Sequence, residues 1–211
     1  PIIKNKLFFF VNAEYSSTPT VVNRWHGSTD GVFNEDTYTS RTLTKDLEDV
    51  SNYLKKEYGY NTGSWTDFPA TNTNLKVLAR LDWNINDAHK LAVRYNYTLN
   101  QVWKMANASS MDGGSRSSFA RFSEYGMSYV NSLYSQDNLA TSVTLDLNSR
   151  FSDNLHNQFL ATFSKLDDMR GTNSEDFPFI DIRNDDGSAV LPYISLGYEL
   201  FTWNNGVHNN N

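Results

Sequence analysis

From Leu75 to Leu99 the chain reads LKVLARLDWNINDAHKLAVRYNYTL, and its apolar residues fall on alternate positions. Leu75, Val77, Ala79, Leu81, Trp83 and Ile85 point one way, and Lys76, Leu78, Arg80, Asp82, Asn84 and Asn86 the other. After a short polar turn, Leu91, Val93, Tyr95, Tyr97 and Leu99 alternate with Ala92, Arg94, Asn96, Thr98 and Asn100. Period two on both sides of a turn predicts an antiparallel hairpin with one apolar and one polar face. Each arm is about ten residues long, the length a tilted strand needs to cross a bilayer.

The same alternation marks three more strands. Leu7, Phe9, Val11, Ala13 and Tyr15 form one face of a strand near 7–15, although Phe8 and Phe10 on its other face also suit a strand buried on both sides in a soluble sheet. Leu139, Val143, Leu145, Leu147 and Phe151 mark a strand near 139–151. Ser152-Asp153-Asn154 makes a tight turn, and Phe159, Ala161 and Phe163 continue near 157–166. With the hairpin arms at 75–86 and 90–100, five strands are expected in one domain over 1–211. Between them, Leu47, Val50, Leu54 and Tyr58 recur at helical spacing. Acidic residues open that stretch, Lys55 and Lys56 close it, and Gly59 stands at its end, so a short amphipathic helix is expected inside a polar connection.

Connection lengths sharpen the picture. The turns at 86–90 and 152–154 take a few residues, whereas the connections at 16–74, 101–138 and 167–211 run to tens. Structureless connections of that length are uncommon in compact soluble domains. Alternation of short turns with long loops, all long loops on one side, is the habit of outer-membrane barrels. The fold class expected is therefore all-β: part of an antiparallel transmembrane β-barrel, about five strands with long extracellular loops and one short loop helix.

Composition agrees. The 211 residues are 39% hydrophobic and 14% aromatic, and no apolar run approaches a membrane helix. A net charge of −6 without a basic patch argues against nucleic acid, and the absence of cysteine removes disulfides, thiolate zinc sites and cysteine nucleophiles. The four histidines are scattered, and His89 and His156 beside turns are expected to be solvated. Ser115 and Ser117 lack the second glycine of a nucleophile elbow, and Asp181, Asp185, Asp186 and Gly187 fail calcium-loop spacing and read as a surface turn. Asn96 and Asn107 match the glycosylation pattern by chance in this reading. Neither catalysis nor a cofactor nor a metal is expected.

On the polar face, Lys76, Arg80, Asp82, Arg94, Asp146 and Arg150 would line a wet lumen; in a soluble sheet they would be a solvated surface. Tyr15, Trp83, Tyr97 and Trp103 suit aromatic girdles at the membrane interfaces, and Trp103 equally suits a loop. The loops at 17–73, 101–137 and 168–211 would meet a ligand first. Trp25, Trp65, Trp103 and Trp203 are candidate stacking surfaces for a sugar or peptide.

The runs PIIKNKLFFFVNAEY, LARLDWNINDAHKLAVRYNY and DLNSRFSDNLHNQFLATFSK resemble barrel segments of TonB-dependent outer-membrane receptors of the long-looped Bacteroidetes type, over roughly residues 1–170. The resemblance implies a plugged barrel of about 22 strands in the bacterial outer membrane, importing a bulky nutrient. It implies outer-membrane lipid around the strands, TonB as a partner through a plug and TonB box that this chain does not carry, and a surface lipoprotein as a further partner. Cargo would be a small molecule, glycan or peptide, and the chain would be an internal fragment of the barrel. Two other readings stay open: a soluble β-sandwich that binds glycans, whose apolar face would pack on a second sheet, and a passive porin or adhesin barrel.

Overall fold

The structure, a computed structural model, describes residues 1–106, 121–184 and 192–199. In chain order its elements are β1 (Leu7–Val21), β2 (His26–Ser28), β3 (Thr39–Leu43), α1 (Thr44–Tyr58), β4 (Pro69–Asn84) and β5 (His89–Lys104). These are followed by β6 (Met127–Ser128), β7 (Tyr134–Ser152), β8 (Leu155–Thr172), β9 (Ile180–Arg183) and β10 (Pro192–Leu196). No described helix is long and apolar enough to cross a membrane. The chain divides into two compact units, one comprising residues 1–18, 72–101 and 137–168, the other residues 19–71, 102–136 and 169–211.

The first unit is an open five-stranded sheet in the order β1-β4-β5-β7-β8, so each long strand lies beside its neighbour in sequence. All five expected strands are present. In the β4–β5 hairpin, Leu75 faces Leu99, Val77 faces Tyr97, Ala79 faces Tyr95, Leu81 faces Val93 and Trp83 faces Leu91. Directly opposed residues share a face, so the two apolar rows are one surface. Asn86 closes the turn by accepting the backbone N–H groups of Ala88 and His89 on its side-chain oxygen, at 2.9 and 2.8 Å. The polar face continues across the sheet through Asn96 Nδ2 to Ser142 Oγ (3.1 Å) and the Thr144–Thr162 hydroxyl pair (3.1 Å).

Every long strand outruns its expected bounds at the loop end: β1 runs to Val21 and β8 to Thr172, β4 starts at Pro69 and β7 at Tyr134, and β5 ends at Lys104. Most of the added residues are polar or β-branched, as in Ser16 to Thr18 and Thr71 to Asn74. They keep the hydrogen-bonded ladder without an apolar row, so hydrophobic alternation does not mark them.

The second unit corrects the expectation of polar loops. The connections hold β2 paired parallel with β3, and β10 paired parallel with β6 and antiparallel with β9. They also hold the described core: Leu47 and Leu54 from α1, Tyr60, Phe68, Phe122, Met127, Tyr129, Leu133, Ile194 and Leu196. Helix α1 ends as expected, at Gly59 with φ 69°, and the following N–H groups return to Leu54 and Lys55 oxygens. At Gly197 (φ 91°) a Cβ would lie 2.1 Å from the Pro178 carbonyl oxygen, so only glycine lets β10 pass that segment.

Candidate functional site

In the five-stranded unit a single residue of the strands, Ser149, is buried. The apolar row that a soluble sheet would cover stands open: Phe9, Val11, Trp83, Phe151, Phe159 and Phe163 are all exposed, Phe163 at 69%. From Leu75 to Trp83 the row makes eight steps of about 3.3 Å, or about 26 Å along the strand. A tilt of about 40° reduces this to about 20 Å, close to the ~25 Å apolar band of an outer-membrane barrel once side-chain width is added. An apolar surface of five strands far exceeds the few hundred Å² tolerated on a soluble monomer.

The six residues expected on the polar face lie there. Arg80 holds Asp82 through two nitrogens at 2.7 and 2.8 Å, Lys76 reaches Glu14 at 3.4 Å, and Arg94 stands directly opposite Arg80. Asp146 accepts amide N–H groups from Asn148 and Gln158, both at 2.9 Å, and Arg150 lies exposed at the turn end of β7. His89 differs from its expected solvated state: Nδ1 meets Ser149 Oγ at 3.0 Å and the ring meets Phe151 edge-on at 5.9 Å.

The tryptophans proposed as stacking surfaces pack against the core of the loop unit instead. Trp25 stacks on Phe33 at 6.0 Å and meets Tyr38 edge-on, Trp65 meets Tyr129 edge-on at 6.0 Å, and Trp103 is half-buried. Of the two places open to Trp103, its packing is that of the loop residue. Trp203 lies outside the described residues, as do Asn107, Ser115, Ser117, Asp185 and Asp186. Asp181 does not sit in the expected surface turn but in β9. It holds the fully buried Arg121 at 2.7 and 3.0 Å, and Arg121 lies 4.6 Å from the Phe179 ring centroid. Among the described residues no acidic or histidine cluster could hold a metal.

What the loop unit presents is a groove of about 700 Å³ between α1 and strands β9 and β10. Val50, Leu54, Ile182 and Leu196 make its walls, Tyr53, Tyr58 and Phe177 its aromatic surface, and Asp49 is the one charged residue among the described ones that line it. Tyr60 stacks on Phe177 at 4.0 Å, and Tyr58 meets Phe177 edge-on at 6.2 Å, so the Phe177 ring is fixed while Tyr58 stays open to solvent. The volume suits a small-molecule pocket. The arrangement can hold an aromatic or aliphatic moiety by contact and stacking. Half of it was legible: Val50, Leu54 and Tyr58 share the predicted helix face, whereas nothing in the run from Phe177 to Leu196 marks its facing strands.

Buried phenols make this unit sensitive to alkali. Tyr129 donates to the Leu47 carbonyl at 2.7 Å, and burial pushes its pKa up. Tyr193 is pushed up to about 12, first by burial and then by donating to Asp46, against a smaller opposing effect of the Leu43 N–H. Both phenols stay neutral in the folded unit after they would ionise in an unfolded chain. Their contribution is therefore complete below pH 10 and is lost as pH rises toward about 12. Loop-unit unfolding followed by tyrosinate absorbance should fall in that window as one transition; tyrosines that titrate independently near 10 with the fold intact would contradict the burial.

No family model, curated protein or solved structure matches this chain.

Proposed function

We propose that the chain is part of the barrel of a TonB-dependent outer-membrane transporter, with the strands as scaffold and the loop unit as the surface that meets cargo. The observation that carries this reading is the uncovered apolar row of a sequential five-stranded sheet, of bilayer height, opposite a charged and amide-rich face. A β-sandwich would need that row covered, and its phenylalanines stand exposed. In this reading lipid covers the apolar row, and further strands extend the open edges at β1 and β8 to close the barrel. TonB acts through a plug elsewhere in the parent protein, and a surface lipoprotein is a further partner. The groove favours cargo with an exposed aromatic or aliphatic group, whether a small molecule, a peptide or a decorated glycan.

Fractionation of the full-length protein, followed by uptake assays with and without the inner-membrane proton gradient, tests the reading. Outer-membrane residence with gradient-dependent uptake is expected. A soluble protein would contradict the barrel, and gradient-independent flux would favour a passive porin. Within the groove, Tyr58→Ala removes an exposed ring without touching the core and should weaken cargo binding by about 1 kcal/mol, a several-fold change. Unchanged affinity would place the cargo elsewhere.

A further inference from the structure

The charge of the chain is not shared between its two units. The sheet unit, residues 1–18, 72–101 and 137–168, carries eight Lys and Arg against eight Asp and Glu. The loop unit, residues 19–71, 102–136 and 169–211, carries ten against sixteen, so the whole net charge of −6 belongs to it. A field of one sign gathers ligands of the opposite sign and repels its own. The groove between α1 and strands β9 and β10 lies in this acidic unit.

The aromatic residues of the groove repeat that preference. A ring face is the negative side of its quadrupole and attracts a cation. The loop unit uses this contact elsewhere: Arg41 lies over Phe33 and Tyr125, Arg121 over Phe179 and Arg170 over Tyr134. Among the described residues no cation lies over Tyr53, Tyr58 or Phe177. Tyr53 meets Tyr58, and Tyr58 meets Phe177, at interplanar angles of 69° and 68°, so the three rings stand as adjoining walls rather than one stack. Asp49 adds a carboxylate to the lining. Lys45 pairs with it from one helical turn away, but both side chains are largely exposed, and a surface pair of this kind holds weakly. No Lys, Arg or His stands among the described residues that line the groove, so an anion would find only ring faces and like charge.

We infer that the groove is a site for a small organic cation, an ammonium group carried on an aromatic or aliphatic body. The body fills the apolar walls of Val50, Leu54, Ile182 and Leu196, and the ammonium sits against Tyr53 and Tyr58 with Asp49 as its counter-charge. The inference deepens the proposed role of the groove in meeting cargo and rests on that role, not on closure of the barrel. A neutral body of the same shape gains the apolar contact but neither the cation–π attraction nor Asp49, and an acid is repelled.

Three probes of one shape and different charge test this: phenethylammonium, phenethyl alcohol and hydrocinnamate. Their binding to the full-length protein in lipid nanodiscs is followed by saturation-transfer NMR, with empty nanodiscs as the reference. The ammonium should bind about five- to tenfold more tightly than the alcohol, and the carboxylate more weakly than both. Tyr58→Leu keeps apolar bulk but removes the ring face, and Asp49→Asn removes the counter-charge. Each should cut the affinity for the ammonium several-fold and more than that for the alcohol, whereas Lys45→Gln should raise it. All three side chains are exposed, so none of these variants endangers the fold. Equal binding of ammonium and alcohol, both weakened by Tyr58→Ala, overturns the inference and leaves the groove a cargo site; a preference for the carboxylate overturns it too. Ammonium binding unchanged in Tyr58→Leu and Asp49→Asn lies elsewhere and overturns it as well. If none of the three probes binds, the part of the groove in cargo capture fails together with the inference.

Discussion

Val77→Arg and Val93→Arg should each destabilise the proposed barrel by about 2–4 kcal/mol, whereas Thr98→Arg should cost far less. Val77 and Val93 sit on the apolar row, each two residues from the Ala79–Tyr95 pair at its midpoint. In the proposed barrel, height and face put both near the bilayer centre, where a guanidinium would have neither water nor a counter-charge. Thr98 lies at a similar height but opposite Lys76 on the polar face, where water or the lumen contents can solvate the new charge. Denaturant titration of the full-length protein folded into lipid vesicles measures the three changes side by side. Equal tolerance at both faces would mean that the outward assignment is wrong, because depth alone cannot distinguish Val77 from Thr98.

Asp181→Ala should be comparably damaging, by about 3–5 kcal/mol, yet in the loop unit rather than the sheet. Arg121 has no exposed surface, and Asp181 meets it with two hydrogen bonds while accepting a third from Ser195 Oγ at 2.5 Å. Removing the carboxylate takes two charge-assisted hydrogen bonds from a guanidinium in a site closed to water, beside the Phe179 ring. Removing both charges together is a different perturbation: an Arg121→Met, Asp181→Leu double variant should recover most of the loss, as buried pairs replaced by apolar groups commonly do. Protease resistance of the loops in the membrane-embedded protein reports the difference. A single variant as resistant as the parent would show that Arg121 does not depend on Asp181.

Legibility followed where one face must be uniformly apolar. From Leu75 to Trp83 and from Leu91 to Leu99 a lipid-facing or core-facing row forces every second residue, and the register observed is the one the alternation implies. Where the same strands continue as Ser16 to Thr18 or Thr71 to Asn74, both faces are polar and no period remains to be read. The loop unit hides its core for a related reason. Phe68, Phe122, Met127 and Leu133 stand singly among polar residues, on short elements gathered from distant parts of the chain. Helix α1 was readable because fifteen residues give an apolar stripe several repeats. Tryptophan identity alone could not separate a ligand platform from loop packing: the rings that cover Trp25 and Trp65 belong to Phe33, Tyr38 and Tyr129, and only the fold brings Tyr129 to Trp65.

A paramagnetic probe scan along β4 tests the central claim most directly. Nitroxide labels placed one at a time from Leu75 to Trp83 in the full-length protein, in outer-membrane vesicles, would be read for collision with oxygen and with a water-soluble nickel complex. The account predicts a strict period of two, with oxygen favoured at Leu75, Val77, Ala79, Leu81 and Trp83 and the aqueous probe favoured at Lys76, Leu78, Arg80 and Asp82. Absence of alternation, or water contact along the odd row, would contradict it.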